Sequence, residues 1–123
     1  MSRSFIFILI TLTGVMLGVK NLYATPKFIP GINGLPLMTG LVLIPEKQVV
    51  FDTLNGRIIE VFATGKNSPD DILSFYGATL PQLGWISKSP NEFRRDKELL
   101  KIEISDNLMG RVEVRISIAP RPD

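Results

Sequence analysis

The most convincing helix of the sequence after residue 24 is the stretch Ser68-Pro-Asp-Asp-Ile-Leu-Ser-Phe-Tyr-Gly-Ala-Thr-Leu-Pro-Gln-Leu-Gly-Trp85. Ser68 is a good N-cap, because its hydroxyl can accept a hydrogen bond from a free backbone N–H in the first turn. Pro69 suits the first helical position, where a missing N–H costs nothing. Asp70 and Asp71 place negative charge at the positive end of the helix dipole. These residues predict a helix that begins at Pro69.

The apolar residues of this stretch form one helical stripe. Their spacing of i, i+3, i+4, i+8 and i+11 is typical of a helix face. The members of the stripe are Ile72, Phe75, Tyr76, Leu80 and Leu83. Pro81 removes one main-chain hydrogen bond and disfavours helical geometry at the residue before it. The helix therefore either ends near Thr79 in an irregular turn or kinks and continues to Leu83, and the unbroken apolar register favours the kink.

The rest of the domain is predicted to be β-strands, on both sides of the helix. Residues 54–56 contain Asn-Gly, which favours a hairpin turn between the first two strands. The last two segments alternate apolar and polar residues, which indicates one dry and one wet face. The strand-like segments are 49–53, 57–64, 85–88, 92–96, 99–105 and 111–118.

Short connections between consecutive strands imply antiparallel pairing. The predicted fold class is α+β, with one antiparallel sheet of about five strands in the order β-β-α-β-β-β and a single helix packed on one face. An N-terminal signal helix precedes it. The predicted division is a signal peptide at 1–24, a Pro/Gly-rich apolar arm at 25–46 and the α+β domain at 47–120.

The first 24 residues have the parts of a secretory signal peptide. Arg3 gives a charged start, residues 5–19 form an apolar run of 15, and Ala24 is a small residue at the cleavage position. A helix needs about 20 apolar residues to cross a bilayer. We therefore expect a cleaved signal and a periplasmic or secreted domain. The alternative is an uncleaved leader that anchors the protein in the inner membrane.

The positive charge of the chain belongs to this leader. The whole sequence has 14 basic and 12 acidic residues, and Arg3 and Lys20 lie in the leader, which has no acid. Cleavage after Ala24 leaves 12 of each. A nucleic-acid-binding domain usually keeps a basic face, so we expect no nucleic-acid partner.

Residues 25–46 are too rich in Pro and Gly for a long helix, yet many of them are apolar. Such an arm must be covered, because a large exposed apolar surface promotes aggregation. One interpretation is that the arm closes the core of its own domain. The other is that it docks on a partner. In that case the candidate partner-binding residues are Leu35, Leu37, Met38 and Leu41.

The chain has no histidine and no cysteine. This removes Ser-His nucleophile activation, imidazole metal sites and thiolate metal sites. The one adjacent acid pair, Asp70 and Asp71, is accounted for by helix capping. We therefore assign no catalytic, cofactor-binding or metal-binding residue and expect a protein that is not an enzyme and needs no cofactor.

One sequence pattern runs through most of the chain after the leader. It consists of Pro-Leu-Met38, Val-Phe-Asp52-Thr, Gly-Arg57-Ile, Ser68, Phe-Tyr76 and Leu80-Pro-Gln-Leu-Gly-Trp85. The pattern resembles a group of small, uncharacterised exported bacterial proteins, and its weakly specific part is the Phe-Tyr and Leu-Gly-Trp segment. The resemblance implies export and a small domain of sheet and helix, and it brings no catalytic residues.

These observations favour a non-enzymatic envelope protein, a protein-interaction module in the periplasm whose partner is an envelope protein of unknown identity. Its contact surface would be the arm or an exposed edge of the sheet. Membrane contact is expected only through an uncleaved leader. The alternative is a binder of a small apolar or lipid-like ligand between helix and sheet, in a pocket near Phe62, Tyr76 and Trp85.

Overall fold

The computed structural model of the chain describes residues 27–107 and 109–122. These residues form one seven-stranded antiparallel sheet with a single α-helix, which confirms the predicted α+β class. The predicted signal helix and the cleavage position after Ala24 lie outside the described residues.

Three strands precede the helix and four follow it, so the predicted number of about five was too low. One additional strand is a two-residue segment of the apolar arm, and the short hairpin after the helix contributes two strands. The elements are β1 (Val42–Leu43), β2 (Val49–Thr53), β3 (Gly56–Gly65), α1 (Pro69–Thr79), β4 (Ile86–Ser89), β5 (Glu92–Arg95), β6 (Glu98–Asp106) and β7 (Val112–Pro120). Short 3-10 turns cover Pro45–Lys47 and Leu80–Leu83.

The strand order is β1-β3-β7-β6-β5-β4, and every neighbouring pair is antiparallel. Strand β3 pairs with β7 along one side. Its other side is shared by β2, opposite residues 56–60, and by β1, opposite residues 63–64. Strand β3 is therefore an interior strand, and β1 and β2 together form the outer edge next to it.

The helix begins as the sequence predicts. The Ser68 hydroxyl accepts a hydrogen bond from the backbone N–H of Asp71 at 3.1 Å. The α-helix ends at Thr79, and a 3-10 turn carries the chain to Gly84, which has a φ of +88°. Pro81 has no N–H to continue the α-helical bonding. The outcome is thus closer to a helix that ends near Thr79 than to the kinked helix that the apolar register favoured.

The helix packs on the dry face of the sheet. Ile72, Tyr76 and Leu80 of the predicted stripe are buried, whereas Phe75 and Leu83 are half-buried. Alternate residues of the central strands are buried beneath the helix and the arm, as period-two patterning predicts. They are Ile59, Val61, Ala63, Leu100, Ile102, Val112, Val114, Ile116 and Ile118.

The opposite, outer face carries charges that pair between strands. Arg115 on β7 bonds to Glu60 on β3 and to Glu103 on β6. Lys101 on β6 approaches Glu92 on β5 at 3.7 Å. The reason is the register, which places Lys101 directly opposite Glu92. Charge pairs of this kind explain the polar face without any ligand.

Candidate functional site

The four residues predicted to bind a partner do not form an exposed surface. Leu35 is 0% exposed and Leu41 is 6% exposed, and both belong to the core. Leu37 and Met38 are half-buried and pack against that core. These four side chains thus pack as in the first interpretation, in which the arm closes the core of its own domain, and they are occupied by intramolecular contacts.

The arm is held in place by the buried hydroxyl of Tyr76. This hydroxyl donates a hydrogen bond to the carbonyl oxygen of Pro36 at 3.0 Å and accepts one from the backbone N–H of Met38 at 3.1 Å. Burial raises the pKa of Tyr76 to about 12, while the bond from Met38 opposes part of this rise. Tyr76 therefore acts as a structural link between the helix and the arm.

A second link lies where the arm crosses the end of β3. The Arg57 guanidinium donates to both carboxylate oxygens of Glu98, at 2.8 and 3.1 Å, and to the carbonyl oxygen of Gly31 at 2.8 Å. The hydrogen bond with Glu98 raises the pKa of Arg57. The hydrogen bond from Arg57 to Gly31 and the two bonds of the Tyr76 hydroxyl therefore hold the arm at two places.

The three residues of the predicted ligand pocket do not meet. Tyr76 and Trp85 are buried on the helix side of the sheet. Phe62 lies on the outer face, where the ammonium group of Lys47 is 5.5 Å from its ring centroid. Phe62 is adjacent in β3 to the buried residues Val61 and Ala63, so strand alternation places it on the opposite face. The pocket prediction was therefore wrong for Phe62, and counting in twos from Glu60 would have revealed it.

Trp85 is buried and packs against the side chain of Arg95. The Arg95 guanidinium lies 4.4 Å from the Trp85 ring centroid, which is cation–π distance. Arg95 also donates to the carbonyl oxygen of Leu83 at 3.0 Å. Trp85 and Arg95 thus connect the end of the helix to strand β5.

Shallow apolar depressions do exist between helix and sheet, but they have other linings. Two adjoining depressions of about 460 and 410 Å³ share Leu73 and Pro90. Phe93, Ile102 and Ile104 contribute apolar atoms to one or the other. We call these two depressions the helix groove.

A different surface is both apolar and accessible. Val42 and Val50 are each 59% exposed, and Phe51 is 48% exposed. Val42 lies on β1 and the other two lie on β2, so all three follow the outer edge of the sheet. We call this surface, β1 and β2 with these three side chains, the free edge. A sheet edge was predicted as a possible contact without its residues, although Val49-Val-Phe51 is apolar on both faces of a strand.

The described residues contain no group of three or more His, Cys, Asp or Glu side chains that could hold a metal ion. No helix within the described ranges is long and apolar enough to cross a membrane. Comparisons with known protein families, curated proteins and solved structures find no match to this chain. Its function is therefore argued from the geometry of its own surfaces.

Proposed function

We propose that this chain is a small non-enzymatic exported protein of the bacterial cell envelope that binds an extended segment of another envelope protein along its free edge. The exposure of Val42, Val50 and Phe51 on that edge carries the proposal. The charged, apolar and small-residue parts of the first 24 residues support export. The proposed location is the periplasm, and an uncleaved leader would hold the domain at the inner membrane.

The free edge has the properties that strand addition requires. An outer strand presents unpaired backbone N–H and C=O groups, which an extended peptide can match. Val50 lies opposite Ile59 and points to the helix side, whereas Phe51 lies opposite Ile58 and points to the outer side. An added strand would therefore meet an apolar side chain on each face.

The composition of β2 supports the proposal that a partner strand covers this edge. Natural sheets usually protect exposed edges with lysine, proline or a bulge. Strand β2 has one charged residue, Asp52, which lies opposite Arg57 of β3. A bare edge of this kind would favour aggregation, and a partner strand would remove that tendency.

The proposal is tested by placing a photo-crosslinking residue at Val50 in living cells. The matched control is the same residue at Met109, which is 84% exposed and lies beyond the opposite end of the β3–β7 pair. We expect one envelope protein to be captured at position 50 and not at position 109. Equal capture of the same proteins at both positions would contradict the proposal.

A second variant tests whether β1 and β2 act as one surface. Val42→Lys introduces a charge on the same edge and leaves the crosslinking residue at position 50 unchanged. We expect this change to abolish the capture at position 50 while leaving the melting temperature unchanged, because Val42 is exposed. Capture that persists in Val42→Lys would show that the contact does not extend along the edge.

The helix groove supports a second candidate function, the binding of a small apolar or lipid-like ligand. Its apolar lining and its position between helix and sheet are typical of ligand sites. A Cβ at Gly77, which lines the groove, would meet no atom within 4 Å. Gly77→Leu should therefore fill the groove and block binding of a fluorescent fatty acid, and it should not weaken the helix. Unchanged binding in this variant would exclude the groove.

A further inference from the structure

The end of the sheet near the β2–β3 turn carries a third feature, an open groove of about 830 Å³. Leu54, Ile58 and Pro120 line it with apolar atoms, and Lys97 and Arg121 line it with positive charge. The described residues that line this groove include no carboxylate. The groove lining therefore has an excess of positive charge, whereas the chain after residue 24 has 12 basic and 12 acidic residues.

The two basic residues are held side by side by the backbone. The N–H of Arg121 donates to the carbonyl oxygen of Lys97 at 2.7 Å. Within the described ranges neither side chain has an ion-pair partner. Lys97 and Arg121 can therefore direct their charge to a ligand.

Leu54 stands at the tip of the adjacent hairpin and is fully exposed, with a relative exposure of 107%. The turn is ordered by the Thr53 hydroxyl, which donates to the carbonyl oxygen of Gly56 at 2.7 Å and accepts from the N–H of Asn55 at 3.2 Å. A Cβ at Gly56 would lie 3.2 Å from the Pro120 ring, so the turn packs directly against the end of β7. The exposed leucine is thus held beside the two cations.

We propose that this end of the domain docks on a membrane surface that contains anionic phospholipid. Leu54 would enter the headgroup–acyl boundary, and Lys97 and Arg121 would contact the phosphates. Charge complementarity supports this occupant, since negatively charged membranes attract clustered basic residues and apolar side chains add to the binding. The contact would be separate from the leader, and it uses neither Val42 nor Val50 of the free edge.

The test uses the full chain and a probe that reports only on the tip. Because the chain has no cysteine, Leu54→Cys can be labelled at one position with an environment-sensitive NBD dye. Met109→Cys, at the other end of the sheet, is the matched control. With vesicles containing phosphatidylglycerol we expect a blue shift and a rise in NBD emission at position 54 and none at position 109. Pure phosphatidylcholine vesicles should give no response at either position.

The charges are tested in the same labelled protein. Lys97→Gln combined with Arg121→Gln should weaken vesicle binding by roughly 25-fold, about fivefold for each charge. Lys66→Gln, beyond the other end of β3, should weaken it less than about twofold. A tip signal equal on anionic and neutral vesicles, absent on both, or unchanged in the double variant would overturn the proposal. Binding through the leader alone would not depend on Lys97 and Arg121, so it would appear as a signal that is unchanged in the double variant.

Discussion

The apolar arm and strand β2 are both rich in aliphatic residues, yet their environments are opposite. Leu35 in the arm is 0% exposed, whereas Val50 in β2 is 59% exposed. The arm lies on the dry face, where the Tyr76 hydroxyl and the Arg57 guanidinium bind its backbone. Strand β2 has β3 on one side and no strand of the described chain on the other. Apolar composition therefore predicts that a segment needs covering, but not what covers it.

The largest expected effect of this difference is on stability. Leu35→Ala removes a fully buried side chain, so it should lower the free energy of unfolding by about 2–5 kcal/mol. Urea denaturation of the purified domain measures this. Val42→Ala, an exposed change also within residues 25–46, is the control and should have a small effect. A loss below about 1 kcal/mol in Leu35→Ala would mean that the arm is not part of the core.

The bond between arm and helix should give a pH-dependent effect of intermediate size. Burial raises the pKa of Tyr76 to about 12, from the ordinary value of 10.0. The protonated hydroxyl is thus favoured in the folded state, and its contribution is complete below pH 10. As the pH rises from about 10 to 12, the free energy of unfolding should fall by roughly 2–3 kcal/mol.

Tyr76→Phe isolates this effect from other groups that titrate in alkali. The variant keeps the ring but loses the hydrogen bonds to Pro36 and Met38. Denaturation curves at several pH values should show a smaller alkaline loss in the variant than in the unchanged protein. Parallel losses in the two proteins would show that the Tyr76 hydroxyl does not control the alkaline transition.

The smallest stability effect is expected at the free edge. Val50→Thr keeps the β-branched shape of an exposed residue, so the free energy of unfolding should change by less than about 0.5 kcal/mol. The proposed partner contact would nevertheless weaken, because a hydroxyl replaces an apolar methyl group. Thermal denaturation and crosslinking from Phe51 measure the two effects. A loss of more than about 1 kcal/mol in the free energy of unfolding, with unchanged crosslinking, would assign Val50 to the core. Val50 would then not be a partner contact, which would contradict our proposal.

Local patterns predicted the elements of the fold well. Ser68 caps the helix as expected, and the alternation along β6 and β7 matches their buried and exposed residues. These features depend on residues close together in sequence, where periodicity and capping chemistry act directly. The end of the helix near Pro81 was harder to predict, because the apolar spacing and the missing N–H of Pro81 favoured different end points.

The candidate surfaces depended partly on an alternation that was misread and partly on pairings between residues distant in the sequence. Phe62 was placed in a pocket with Tyr76 although strand alternation puts it on the other face of the sheet. The two-residue strand β1 could not be recognised, because its two residues form a strand only where they pair with Ala63 and Thr64. The exposure of Val50 depended on the strand order, which places β2 at an edge.

The kinds of element, the helix face and the lack of histidine and cysteine chemistry could be predicted from the sequence alone. These are properties of spacing and composition, and they need no distant contact. The burial of Leu35 and Leu41 in the arm and the exposed position of β2 at the sheet edge follow only from the tertiary structure. Burial of the arm depends on contacts such as Tyr76 with Pro36, 40 residues apart in the chain. Contacts at that separation follow from the way the whole chain fills one core, which no local pattern specifies.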